Sequence, residues 1–392
     1  MTTASYDVGG LVLPRPFKVQ RFGHLGLTHG APQGGMEFWC NELGFRLTDV
    51  LQPPAAPKPM GWFSTYGADH HALLHLDAVA EQGNPDFARG VTVNQIAFQV
   101  GTLSEVADGH GYFEANGIKT WRYGRDFPGS NWAVYCFDPD GLRVELFYGM
   151  EQIGWDRRSK PPQYYVPPEY VPHLPEPAEL SDILRLEAAH SELPKGYRPI
   201  EPMPFNSQAG GVMMQRPFAI NKLGPVHLFV DDVSRSEAFY VKHLGLVRTE
   251  EVTWRGHRAL YLRHGSDHHT IGLFPMSLRD AIDFDSCTKL FSFGIELGSY
   301  KQLVDAVTWL KARGHRVRTD VPPELRPGID YAAFVTDPSG HSAMLYCGIE
   351  QIGWDGKPRP ADQRRAVESI WPDTLDPMSD SYMSLNRQGP MA

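Results

Sequence analysis

EQIGWD (Glu151–Asp156) recurs letter for letter at Glu350–Asp355, and this duplication decides how the rest of the chain is read. Immediately upstream, DPDGLRVELFYGM (Asp138–Met150) parallels DPSGHSAMLYCGI (Asp337–Ile349). Further out, GHLGLTH (Gly23–His29) parallels PVHLFVD (Pro225–Asp231). Each of these is followed by a segment ending around LG, FWCNELGF (Phe38–Phe45) and FYVKHLGL (Phe239–Leu246). Between the landmarks lie ADHHALL (Ala68–Leu74) and SDHHTIGL (Ser266–Leu273). Landmarks in the same order at similar spacing make residues 20–156 and 222–355 two copies of one module.

Each module repeats again internally. The first half reads as strand Phe22–Leu27 and then a helix with Met36, Trp39, Cys40 and Leu43 at i, i+3, i+4, i+7, stopped by Gly44. Strand-like runs follow near Phe45–Leu51, Gly61–Tyr66 and His71–Leu76. The second half has strand Gln95–Val100, a helical stretch to Phe113 closed by Asn116-Gly117, and strands near Ile118–Tyr123, Trp132–Phe137 and Arg143–Tyr148. In the second copy the matching helix sets Leu303, Ala306, Val307 and Leu310 on one face before Gly314. The unit is βαβββ, present four times. It predicts an α+β fold of two modules, each a curved, half-open, barrel-like mixed sheet with helices on its outer face. Residues 1–19 read as an arm. Residues 157–221 are a proline-rich linker with a short amphipathic helix near Ala178–Leu193, expected to pack across the modules. Residues 356–392 form a polar tail expected to wrap or fray.

Composition narrows the function classes. A chain of 392 residues with 42% hydrophobic and 21% charged residues is an ordinary globular protein of two or three domains. A formal charge of -9 argues against a nucleic-acid partner, which calls for a basic face. No apolar run reaches the ~18 residues needed to span a bilayer, so no membrane partner is expected. MTTASYDVGG lacks the basic and apolar regions of a signal peptide, which predicts a cytoplasmic location. Cys40, Cys136, Cys287 and Cys347 lie far apart with no CxxC, and read as small apolar core residues.

Three residues of the first module carry the chemistry: His24, His71 and Glu145, each in a segment that reads as a strand. Two imidazoles and one carboxylate hold non-haem Fe(II) on one face and leave positions open for substrate and oxygen. Alternation along Arg143–Tyr148 sets Arg143, Glu145 and Phe147 on one face and the apolar Val144 and Leu146 on the other, so Glu145 is expected to point into the concave side. Of His70 and His71 only one can point the same way.

With His on the first strand, His on the fourth and Glu on the last, the chain resembles the vicinal oxygen chelate superfamily. Its two-module length and the DHHALL and DPDGLRVELFYG segments are most similar to the type I extradiol ring-cleaving dioxygenases. The resemblance implies Fe(II), or Mn(II) in its place, on His24, His71 and Glu145, with His71 rather than His70 as the ligand. It implies O2 and a small aromatic or heteroaromatic vicinal diol as reactants, ring opening beside the diol, and a homo-oligomer. Tyr135, ten residues before Glu145, falls where the family carries a tyrosine that contacts substrate or oxygen. Asp126 falls where the family usually has a histidine, and the family's acid–base histidine before His71 has no counterpart in Leu51–Asp69. Proton transfer is then left to Asp126, His70, His29 or Tyr66. Tyr66, Trp132 and Phe147 are the aromatics expected to line a substrate pocket.

The second copy keeps His227 and His269 but has Met344 in place of Glu145 and Phe334 in place of Tyr135. Without the carboxylate it is expected to be a structural partner, the reverse of the order usual in the extradiol family. Two rival readings are a metal-dependent isomerase or lyase of the glyoxalase kind and a non-catalytic small-molecule-binding module.

Overall fold

The computed structural model describes residues 5–52, 55–81, 92–126, 128–129, 131–160, 184, 188, 203–209, 211–284 and 288–375. Two compact units emerge, one holding the sheet of the first module and the other the sheet of the second together with Gln33–Gly44. Most of the expected helix Ala178–Leu193 lies outside the described residues, as do Cys287 and residues 376–392.

The first unit opens with a hairpin, β1 (Tyr6–Val8) and β2 (Leu11–Leu13). Its sheet is built from β3 (Arg21–His29), β4 (Arg46–Leu51), β5 (Gly61–Thr65), β6 (Leu73–Asp77), β7 (Val93–Gln99), β8 (Thr120–Arg125), β9 (Trp132–Phe137) and β10 (Arg143–Tyr148). The strand order is β4-β5-β6-β3-β7-β10-β9-β8, open between β4 and β8. Within each half the first and fourth strands run parallel, β3 with β6 and β7 with β10. The two halves join where β3 and β7 pair antiparallel. Because first and fourth strands are neighbours in each half, β3, β6, β7 and β10 meet at the sheet's centre, and residues remote in sequence converge there.

The helix Leu103–Ala115 starts at Thr102, whose side chain accepts the Glu105 N–H, and buries Leu103, Val106, Tyr112 and Phe113. Phe17 stands edge-on to Tyr112 and Phe113 at centroid distances of 5.9 and 5.7 Å, so the end of the expected arm packs into this unit.

The second unit repeats the plan. A hairpin of β11 (Ser207–Ala209) and β12 (Val212–Met214) leads to β13 (Ile220–Val230), β14 (Val247–Trp254), β15 (His257–Arg263), β16 (Ile271–Pro275), β17 (Leu290–Leu297), β18 (Val317–Arg318), β19 (Ala332–Thr336) and β20 (Ser342–Tyr346). The order β14-β15-β16-β13-β17-β20-β19-β18 matches the first sheet. The helix expected after β3 runs Pro32–Met36 and then winds as a π-helix over Glu37–Leu43. The wider turn moves the buried set to Phe38, Trp39 and Leu43, leaving Met36 and Cys40 half-buried. Trp39 lies 5.0 Å from the Phe293 ring and donates to Asp337 at 2.9 Å. The tail wraps this unit as far as it is described. Tyr300 donates to the Pro372 carbonyl at 2.5 Å, and Trp371 stands edge-on to Tyr331. Cys136 and Cys347 are buried, as expected of small core residues. No helix among the described residues is long and apolar enough to cross a membrane.

Candidate metal centre

Glu145 sits in the middle of β10, paired with Tyr135 of β9 on one side and Ala97 of β7 on the other. It is fully buried and faces the concave side, where Ala97, Ala133, Tyr135 and Phe147 cluster. His24 on β3 brings Nε2 to 2.8 Å from Glu145 Oε2. The His71 ring lies 4.4 Å from that of His24. Phe147 packs on His24 and Phe63 on His71, each with centroids 4.9 Å apart. Gly23 has no Cβ because Phe147 occupies that place; an added Cβ would lie 2.3 Å from its ring.

His71 arrives by a different route from the one alternation predicts. The strand expected from His71 begins at Leu73, and His71 belongs to the turn before it. It therefore shares the cavity with Leu74 and Leu76, not with Leu73. The turn is fixed by the duplicated hexapeptide. Glu151 accepts the His70 N–H at 2.8 Å and donates its own N–H to the Gly129 carbonyl at 2.8 Å. Gln152 donates to Asp69 at 2.8 Å, and Ile153 N–H reaches the Ala68 carbonyl at 2.6 Å. Gly129, at φ +106°, lies against both histidines; a Cβ there would stand 3.1 Å from His71 Cε1. The second unit makes the same ties, from Glu350 to His268 and Gly328 and from Gln351 to Asp267.

His70 does not enter the cavity. Its Nδ1 lies 3.1 Å from His71 Nδ1 and its Nε2 3.3 Å from Asp49 Oδ2. A proton on His70 Nε2 satisfies Asp49, and one on His71 Nδ1 then satisfies His70, which leaves His71 Nε2 as a lone-pair donor. Burial, then the neighbouring His24 and His70, hold His71 well below the usual histidine range, so it is neutral at pH 7.

Glu145 accepts three hydrogen bonds, from Asn131 Nδ2 on Oε1 at 2.8 Å, from Gln95 Nε2 on Oε2 at 3.0 Å, and from His24. Asn131 and Gln95 bring hydrogen bonds but no full positive charge, and a buried carboxylate is costly without a compensating cation. The His24 Nδ1 is buried with no partner. With His24 against Glu145 and the His71 ring beside His24, two imidazoles and a carboxylate lie together in a donor set suited to a divalent ion, and His24, His71 and Glu145 are the residues that would hold it.

A cavity of about 230 Å³ opens over this cluster, lined by Asn94, Gln95, Asn131 and Tyr135 near the ligands and by Trp121, Arg122 and Arg143 further out. Tyr135 donates to Asp126 at 2.5 Å, and Arg122 pairs with the same carboxylate. Burial first, and the Glu145 charge second, raise the Tyr135 hydroxyl well above its usual range. Of the other expected residues, Phe147 backs His24 as described. Trp132 shares the face of Val134 and Cys136 on β9, opposite Tyr135, with Arg125 over its ring. Tyr66, just past β5, stands edge-on to Phe45. His29 lies with His75 at 3.1 Å, and His75 with Ser64 at 3.0 Å, on the face of the sheet away from His24. Gln95, Asn131 and Gly129 were not singled out from the sequence. A glutamine inside the buried run VNQIAFQ is the signal that pointed to the first.

Register matches the two sheets residue by residue. Ala97 pairs with Glu145 as Gly294 pairs with Met344, so Asn94 and Gln95 correspond to Phe291 and Ser292. Leu76, Tyr135 and Glu145 correspond to Phe274, Phe334 and Met344. In the second unit these residues form one packed core with Tyr261. Phe291 and Phe334 stack at 5.9 Å where the first sheet has its cavity. His227 and His269 meet each other at 2.8 Å, and His227 also meets Ser292 at 3.2 Å.

Residues 21–146 and 222–345 match the Glyoxalase/Bleomycin resistance protein/Dioxygenase superfamily. These segments span more than half of the chain, and the protein belongs to this superfamily. No curated protein sequence matches it. Solved structures of similar fold include a halotolerant catechol dioxygenase, at TM-score 0.56 and 15% identity over 91% of this chain and 95% of that one. Homoprotocatechuate 2,3-dioxygenase from Arthrobacter globiformis aligns at TM-score 0.55 and 16% identity, over 89% and 87%. The Mn(II)-bound glyoxalase from Novosphingobium aromaticivorans aligns at TM-score 0.55 and 14% identity, over 86% and 85%. At these identities the likeness is one of fold.

Proposed function

We propose that the first module is the mononuclear centre of an extradiol-type dioxygenase. It holds Fe(II), or Mn(II) in its place, on His24, His71 and Glu145, and opens the ring of an aromatic or heteroaromatic vicinal diol. The observation that carries this reading is that His24 meets the buried Glu145 and lies beside the His71 ring at the wall of a cavity in the first module. At the corresponding place the other module has Met344 and a packed aromatic core. A bound metal ion supplies the Lewis acidity that ionises the diol and the redox contact between diol and O2.

The chain's own residues do the rest. Gln95 and Asn131 fix the carboxylate, and His70 fixes the ring of His71. The cavity of about 230 Å³ accepts a single ring with short substituents and sheds water around it. Asp126, held between Tyr135 and Arg122, takes up the proton that the diol releases and returns it to the product. Tyr135 stays protonated and keeps its hydroxyl as a donor at the cavity wall. Both atoms of O2 enter the product as the bond beside the diol breaks, leaving an aldehyde and a carboxylate. A cytoplasmic homo-oligomer accompanies this reading.

The test is oxygen uptake. Protein purified anaerobically and loaded with Fe(II) is offered a panel of catechols while O2 and a near-visible product chromophore are followed. Stoichiometric uptake with a coloured product is expected. Bound iron without oxygen consumption across diverse diols overturns the dioxygenase reading, and turnover of a thiol adduct without O2 replaces it with the glyoxalase-like one.

A further inference from the structure

We propose that Asn131 is a positioning residue working at both ends of one amide: Nδ2 holds Glu145, and Oδ1 accepts a hydrogen bond from a hydroxyl of the cavity's occupant. The inference rests on the metal-centre reading above and assigns a residue which that reading leaves open.

Asn131 is 1% exposed and stands at the entrance to β9, within the cavity wall. Its orientation is forced by its partner. A carboxylate only accepts, so the NH2 end must face Glu145 Oε1, at 2.8 Å. That leaves Oδ1 on the other side, buried and without a hydrogen-bond partner. An orphaned buried carbonyl is costly unless something that enters the site supplies an O–H or N–H. The backbone of the same residue is pinned as well, because its carbonyl accepts the Asp126 N–H at 2.7 Å. The amide is therefore held rigidly between the carboxylate and the Asp126–Tyr135 pair. Asn131 lines the cavity with that acceptor unpaired, which selects an occupant with a hydroxyl over an ether of the same shape.

The second unit is an internal control. Register places Asp330 where Asn131 stands, in the copy where Glu145 is replaced by Met344 and Gln95 by Ser292. A second carboxylate beside Glu145 would repel it, and with the first carboxylate gone the amide is no longer required. The two amide donors and the carboxylate are lost together.

The experiment separates the two ends. Mn(II) is titrated into the chelated full-length protein, and 4-nitrocatechol binding to the Mn(II)-loaded protein is then followed by its visible absorbance. Gln95 holds the same carboxylate and also lines the cavity, so Gln95→Leu is expected to weaken Mn(II) about tenfold to a hundredfold and sets the reference for any 4-nitrocatechol loss that comes without the Asn131 Oδ1. Asn131→Ala is expected to weaken Mn(II) to a similar extent and 4-nitrocatechol about tenfold. Asn131→Leu, close to isosteric, repeats the result if a collapsed cavity is not the cause. Wild-type Mn(II) affinity in both Asn131 variants overturns the Nδ2 role, and wild-type 4-nitrocatechol affinity overturns the Oδ1 role. If the wild-type protein itself takes up no Mn(II), the metal-centre reading falls and this proposal falls with it.

Discussion

The carbonyl of Glu151 accepts the N–H of His70 at 2.8 Å, so the duplicated hexapeptide is tied by its backbone to the residue beside a candidate ligand. The Glu151 N–H continues the tie to Gly129, which lies against the His71 ring. The placing of one imidazole thus depends on three segments far apart in sequence.

Gly129→Ala tests this clasp. A side chain at φ +106° is strained by about 1–2 kcal/mol, and the new methyl would press on His71 Cε1. A lower urea midpoint together with weaker Mn(II) binding is expected. Gly328→Ala, against His268 in the second unit, should cost similar stability and leave Mn(II) binding unchanged.

Removal of a ligand separates the two modules. Glu145→Ala and His71→Ala are each expected to abolish retention of Fe(II) or Mn(II) through gel filtration. His269→Ala should retain one ion per chain. Equal loss from all three would mean that the second module holds metal too.

The cavity can be closed by copying the second sheet onto the first. Asn94→Phe introduces the ring that Phe291 supplies in the packed copy, at an overpacking cost of about 1–3 kcal/mol. Mn(II) binding should survive while 4-nitrocatechol binding falls beyond detection. Unaltered diol binding would place the substrate elsewhere.

Acid should destabilise the second unit through His227, whose pKa burial lowers to about 3. Below about pH 6.5 the unfolded chain binds a proton that the folded imidazole refuses, so stability is full above that pH and declines beneath it. The loss from this one group is about 2 kcal/mol at pH 5. Urea midpoints at pH 7.5 and 5 should differ less in His227→Gln than in the wild type.

The duplication made the architecture legible, because four repeats of one βαβββ order admit few arrangements. β9 and β10 begin and end where alternation puts them, and Glu145 faces inward as its apolar neighbours require. Alternation misled at His71, since it supposes an unbroken strand and the residue sits in a turn that long-range backbone bonds hold. Alternation along β9 does set Trp132 opposite Tyr135, whereas composition alone makes Trp132 and Tyr66 read like pocket residues, and both pack elsewhere. Gln95 and Asn131 escaped notice because a hydrogen bond to a carboxylate 50 or 14 residues away leaves no local periodicity.

The stacked rings of Phe229, Phe291 and Phe334 also set an energetic barrier against placing a ligand site in the second sheet. Restoring Glu145's counterpart alone, by Met344→Glu, would sink a carboxylate into hydrocarbon with no amide to receive it. Restoring any one small residue alone would open a void. Every single step toward a ligand site is uphill, so a carboxylate at this place in the second sheet needs several substitutions at once.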